Sequence, residues 1–132
     1  MTSAIIVDDD ENIVKVFEQY LQLNNIDVIG HGFDGKQAVT LYEKLKPDVV
    51  LLDIMMPHHD GFYALEKIKE INPDAKVIAV TADLTDDTEK KLQNLKISDI
   101  IYKPYEMKDI LVTIENVNNQ VIIWLFSAIQ RN

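Results

Sequence analysis

Five short apolar runs constrain this chain more than any other feature. They are Ala4-Ile5-Ile6-Val7, Asp27-Val28-Ile29-Gly30, Val49-Val50-Leu51-Leu52, Val77-Ile78-Ala79-Val80 and Ile100-Ile101-Tyr102. The second is weaker than the rest. The clearest are unbroken rather than alternating, which is the pattern of strands buried on both faces. Helix-like stretches separate them. Residues from about Asn12 to Leu23 place Ile13, Phe17 and Leu21 on one face, with Asp10 as a first-turn cap. Asp34-Gly35 precedes a helix carrying Ala38, Leu41 and Leu45, stopped by Pro47. Asp60-Gly61 opens another, with Leu65 and Ile68 inward, ending near Asn72-Pro73. Asp83 to Asn94 is a poorer helix with few apolar anchors, and a last helix starts near Glu106.

Strands flanked by helices predict an α/β fold, a doubly wound parallel sheet covered on both faces and joined by right-handed crossovers. Ligands of such sheets bind beyond the carboxyl ends of the strands. Asp8 to Asp10, Asp53, Thr81 and Lys103 each follow the carboxyl end of a different apolar run. Four independent placements converge on one rim.

Composition narrows the chemistry of that rim. The 132 residues suit one domain, with 22 acidic against 13 basic side chains and a net charge of −9. That charge argues against direct nucleic-acid binding and against anionic membrane surfaces. The absence of cysteine excludes disulfides, thiol nucleophiles and Cys-ligated metals. No signal peptide is visible in MTSAIIVDDD, and the longest apolar stretch, Val121 to Ile129, is too short to span a bilayer. A cytoplasmic protein is expected. Crowded carboxylates raise one another's pKa. A hard cation relieves the conflict, and oxygen ligands without His or Cys suit Mg²⁺. With a lysine and a threonine hydroxyl beside them, they describe a phosphoryl-transfer site with an aspartyl nucleophile.

The stretches Ile5-Ile6-Val7-Asp8-Asp9-Asp10, Val49 to Pro57, Asp60-Gly61, Val80-Thr81-Ala82 and Lys103-Pro104-Tyr105 occur in the order and spacing of one family. From Thr2 to Val117 the chain resembles the receiver domain of two-component response regulators. The resemblance implies a five-stranded, flavodoxin-like sheet in the order 2-1-3-4-5. It implies that Asp53 takes a phosphoryl group from a histidine kinase or a phosphotransfer domain. Asp8, Asp9, Asp53 and the backbone carbonyl of Met55 would hold Mg²⁺, while Thr81 and Lys103 would bind the phosphoryl oxygens. The Lys103-Pro104 bond is cis in similar domains. Met55 and Asp83, each two residues past a site residue, flank the path of hydrolytic water there and tune dephosphorylation, and Asp83 would either order or repel that water.

The chain departs from the family pattern in places. Similar domains often carry Tyr or Phe three residues before the lysine, where it swings inward on activation; here that residue is Ile100, with Tyr102 next to the lysine. The usual Gly-Ala before the fifth strand is Lys96-Ile97, and that loop is expected to take another path. His58 and His59 read as plain loop residues. In the last helix, Met107, Ile110, Ile114, Val117, Val121, Trp124 and Ala128 keep heptad spacing. The receiver is expected over residues 1–118, with an apolar extension over 119–132. That extension, with Val121, Trp124, Leu125 and Phe126, reads as extra core, as a surface for a second copy or a partner helix, or as the stub of a longer protein. The expected function is a single-domain phosphoacceptor module, not a turnover enzyme, with output through a downstream protein partner. Two rivals are a phosphorylation-independent interaction module and a small Mg²⁺-dependent aspartyl phosphohydrolase.

Overall fold

In the computed structural model, which describes residues 1–57, 61–119 and 129–130, the five runs form one parallel sheet. Its strands are β1 (Ser3–Val7), β2 (Asp27–Gly32), β3 (Val49–Asp53), β4 (Val77–Thr81) and β5 (Asp99–Tyr102), in the order β2-β1-β3-β4-β5. The helices α1 (Glu11–Leu23), α2 (Gly35–Leu45), α3 (Gly61–Ile71), α4 (Asp86–Asn94) and α5 (Met107–Asn118) alternate with them.

Neighbouring strand residues go to opposite faces, and both faces are covered. Ile6, Leu51 and Ile78 pack with Val14, Phe17 and Leu21 of α1 and with Ile110, Ile114 and Val117 of α5. Ile5, Leu52 and Ala79 pack with Ala38 and Tyr42 of α2, Leu65 and Ile68 of α3, and Leu92 of α4. This is why the runs are unbroken: a polar residue on either face would be stranded in a core. Each large side chain so buried contributes about 1.5–3 kcal/mol.

Details differ from the sequence expectation at helix faces and strand ends. In α1 the buried stripe is Val14, Phe17 and Leu21, with Ile13 half-buried beside it. In α2, Tyr42 is buried while Leu45, the last helical residue, is 39% exposed. The stripe of α2 turns toward α3, where the Tyr42 hydroxyl accepts from Asn72 Nδ2 at 3.0 Å. β2 runs on through His31 and Gly32, which pair with Ile6 and Val7. This edge strand carries few apolar side chains, so its pattern faded early in the sequence. α4 begins at Asp86, because Thr85 caps it and Asp83 lies in the preceding loop.

α5 ends at Asn118, whose Nδ2 donates to Thr2 Oγ1 at 2.9 Å and so ties the helix to the chain's start. Ile110, Ile114 and Val117 are buried and Met107 is half-buried, which accounts for the first four heptad positions. The remaining ones, Val121, Trp124 and Ala128, lie outside the described residues, as do Leu125, Phe126, His58, His59 and Asp60. Among the described residues, no helix is long and apolar enough to cross a membrane.

Candidate functional site

Parallel pairing delivers the carboxyl ends of four strands to one edge. The last paired rows are Val7 with Leu52, Asp53 with Val80, and Thr81 with Tyr102. The backbone continues the alignment past them: Asp8 N donates to Gly32 O at 3.1 Å, Ile54 N to Val80 O at 3.1 Å and Lys103 N to Thr81 O at 2.9 Å. Carboxylate oxygens of Asp8, Asp9 and Asp53 thereby come within 4.8 Å of one another. Lys103 Nζ stands 3.9 Å from Asp53 Oδ1. Asp8, Asp53 and Thr81 are buried, and Asp9 is exposed.

Local sequence explains each placement. The consecutive acids have different tasks. Asp8 Oδ1 accepts from the Asp10 amide at 2.9 Å. Asp10 caps α1, accepting from Asn12 N at 2.9 Å and Ile13 N at 3.4 Å. Asp53 Oδ1 accepts from the Met55 amide at 3.2 Å. Beyond it, Gly61 starts α3 against the end of β3, with its amide 3.0 Å from Ile54 O. A Cβ at Gly61 would collide with Ile54 Cα and lie 2.6 Å from Asp53 O. Glycine is required there by this close approach, which sets where the Asp53 loop sits. The Lys103-Pro104 peptide bond is cis.

The electrostatics follow from burial. Desolvation, then the charge of Asp8, pushes the Asp53 carboxyl up to about 6, against the opposing pull of Lys103 and the Met55 amide. Asp8 is also raised, chiefly by burial, with the Asp10 amide and Lys103 opposing. Tyr105 is pushed up to about 12, first by burial and then by Asp8 and Asp53. Its ring lies 5.7 Å from Phe17, centroid to centroid. Asp83 behaves oppositely. Hydrogen bonds from the Thr88 hydroxyl and the Thr85 amide hold its carboxyl below the ordinary 3.8.

The donor set fits a hard divalent cation. Three all-oxygen ligands converge, and two of them carry raised pKa values because their donors offset only part of the cost of burial. The tuning candidates sit together. Met55 and Asp83 line one cleft of about 460 Å³ with Met56, Phe62, Thr88 and Lys91. Lys91 Nζ lies 4.3 Å above the Phe62 ring. Ile100 is half-buried against the α2–α3–α4 core, and Tyr102 is 36% exposed. Lys96 adopts φ 58°, the left-handed conformation that favours glycine, and Ile97 packs half-buried behind it. Thr88 and the burial of Tyr105 were missed by sequence reasoning. Lys103-Pro104-Tyr105 had marked Tyr105 as part of a motif, but nothing local signals that Thr88 meets Asp83.

Residues 4–115 match the response regulator receiver domain family. The chain belongs to that family. This receiver domain is 36% identical to Protein CcdB of Bacillus subtilis over 117 residues, covering 89% of this chain and 98% of that one. It is 32% identical to the response regulator protein VraR of Staphylococcus saprophyticus over 117 residues, 88% of this chain but only 56% of that longer relative. Its structure resembles a chain of the CheX-CheY-BeF3-Mg+2 complex from Borrelia burgdorferi, with a TM-score of 0.83, 30% identity and 88% of each chain covered. The receiver's acidic cluster is poised for Mg²⁺-dependent phosphorylation of an aspartate by phosphotransfer. Receiver domains catalyse their own phosphotransfer and dephosphorylation rather than turning over a free substrate, which sets the phosphohydrolase alternative aside. Family membership supports a histidine kinase or phosphotransfer protein as partner.

Proposed function

We propose that Asp53 is the phosphoryl acceptor, and that the domain signals by carrying that group. The observation that carries this reading is the pairing of the buried Asp53 carboxylate with Lys103 at 3.9 Å inside the acidic cluster. Asp8, Asp9, Asp53 and the Met55 carbonyl would hold Mg²⁺, which, when bound, supplies positive charge to the transferring oxygens. That the similar Borrelia chain was solved in complex with Mg+2 supports magnesium here.

The chain's own residues then have defined tasks. An Asp53 carboxylate oxygen attacks phosphorus, and the phosphorus–nitrogen bond of the donor histidine breaks with its electrons returning to the imidazole. Lys103 pairs with the phosphoryl oxygens. Thr81 Oγ1 accepts from the Asp83 amide at 3.0 Å, so its own proton is available for a phosphoryl oxygen. Met55 and Asp83 tune the later attack of water. Ile100 has no ring to swing inward, so switching is assigned to Thr81 and its loop rather than to an aromatic.

The receiver unit is residues 1–118, and 119–132 is an apolar extension that would pair, through Val121, Trp124, Leu125 and Phe126, with a second copy or a partner helix. Phosphorylation adds about −1.5 to −2 charge and biases the surface of α4, β5 and α5 toward a downstream protein. The net charge of −9 disfavours direct nucleic-acid contact. Family membership and a cysteine-free chain support a cytoplasmic location.

The test is intact mass after incubation with Mg²⁺ and acetyl phosphate, beside Asp53→Asn. One phosphoryl group is expected on the wild type and none on the variant or with chelator. Equal uptake by Asp53→Asn would move the acceptor elsewhere. No uptake from acetyl phosphate or from a phosphorylated histidine phosphotransfer domain would leave a module that works by binding alone.

A further inference from the structure

We infer that Thr88 is a positioning residue that lengthens the life of the phosphoryl group by holding the Asp83 carboxylate against α4. The inference rests on Asp53 as the acceptor.

Asp83 stands at the cleft that Met55 also lines, and Met55 donates its amide to Asp53. It is therefore the carboxylate of that cleft nearest in the chain to the phosphoryl-binding Thr81. Water that hydrolyses an aspartyl phosphate attacks phosphorus opposite the Asp53 oxygen. The water oxygen forms the new bond. The phosphorus–oxygen bond to Asp53 breaks with its electron pair returning to the carboxylate, and the water's proton leaves with phosphate or to solvent. A carboxylate able to accept a hydrogen bond from that water orients it and speeds the step.

In this structure both Asp83 oxygens are engaged elsewhere. Oδ2 accepts from Thr88 Oγ1 at 2.6 Å, and Oδ1 accepts from Thr85 N at 2.9 Å. Thr85 Oγ1 in turn accepts from Thr88 N at 3.4 Å, closing the first turn of α4. The Asp83 amide is fixed to Thr81 Oγ1 at 3.0 Å, so the residue is held at both ends. Thr88 itself is buried and cannot easily release its partner to solvent. The short hydroxyl-to-carboxylate bond is of the charge-assisted kind, which is the stronger kind. Asp83 thus works as a docked structural group, and its capacity to orient water is withheld.

The experiment follows loss of the phosphoryl group from the Mg²⁺-loaded wild type, Thr88→Val, Thr88→Ser, Asp83→Ala and the Thr88→Val/Asp83→Ala double variant, by intact mass after removing the donor. Thr88→Val keeps the shape of the side chain and removes the donor. It is expected to shorten the half-life about 3- to 10-fold, a modest share of what a positioned base supplies. Thr88→Ser restores the wild-type half-life. The double variant matches Asp83→Ala alone. An unchanged or longer half-life in Thr88→Val overturns the inference. So does a shortening that persists without Asp83, since a loosened α4 then explains it. If the wild type takes up no phosphoryl group, the acceptor reading fails and this inference with it; if it does and only the half-lives disagree, Asp53 stands and Thr88 does not.

Discussion

Asp53 ends β3 and Asp83 follows β4, its neighbour in the sheet, yet their surroundings drive them in opposite directions. Asp53 is 4% exposed, and Asp8 adds a like charge beside it, so its carboxyl rises to about 6. Asp83 is half-buried and receives the Thr88 hydroxyl and the Thr85 amide, so its carboxyl falls below 3.8. The β1–β3 side of the rim is left with more negative charge than its donors can offset. The β4–α4 side is closed by its own hydrogen bonds. The difference teaches that a reactive acid here is an under-satisfied one. The same residue type, given enough donors, becomes part of the scaffold.

The largest effect should come from removing the cation of the crowded side. Lys103→Met is expected to cut phosphoryl uptake by about 100-fold or more, the scale of losing one preorganised charge partner, as read by initial rates of mass gain. The variant should also raise the Asp53 pKa further, since Lys103 is the charge holding it down. An unchanged uptake rate would show that the 3.9 Å pair is incidental. Next is Gly61→Ala. Its Cβ would strike the backbone that carries Asp53, and a cost of about 2 kcal/mol, or roughly 7 °C in Tm, is expected for overpacking of this kind. A full-strength melting curve from the variant would mean that α3 can withdraw without penalty.

The pH dependence of stability should split the two sides by sign. The folded pKa of Asp53 is raised, so its contribution is present below the unfolded value near 3.8 and is lost as pH rises through about 6. The folded pKa of Asp83 is lowered, so its contribution is present above 3.8 and is lost as pH falls through its folded value. Without Mg²⁺, the domain should lose on the order of 1 kcal/mol between pH 5 and 7, allowing for solvent screening at the rim. Asp8→Asn should flatten that loss, and Mg²⁺ should restore stability at pH 7 by binding the native state. Thermal melts across pH read all three. The smallest effect belongs to the satisfied side: Thr85→Ala removes a helix cap, should cost about 1 kcal/mol, and should leave the Asp53 titration where it was.

The sheet was largely legible because both its faces are buried, which forces Ile5 and Ile6, or Leu51 and Leu52, to be apolar together. The rim was legible because Asp8, Asp53, Thr81 and Lys103 each stand where an apolar run stops. The same rule fails at β2, an edge strand whose His31 faces solvent, and at α2. There a tyrosine reaches Asn72 of the loop after α3 and takes the place expected of Leu45. Thr88 was invisible for a different reason. Its function depends on a loop turning Asp83 back onto the first turn of α4, and no periodicity encodes that contact. Tyr105 carries no local sign of its burial near two acids, which only the folded chain creates.

The most direct test of the central claim is a ¹³C NMR titration of the aspartate side-chain carboxyls, with and without Mg²⁺. The account predicts that Asp53 titrates at about 6 in the Mg²⁺-free protein while Asp83 titrates below 3.8, and that Mg²⁺ drives the Asp53 value down and leaves Asp83 unmoved. Both carboxyls titrating together near 3.8, with no response to Mg²⁺, would contradict it.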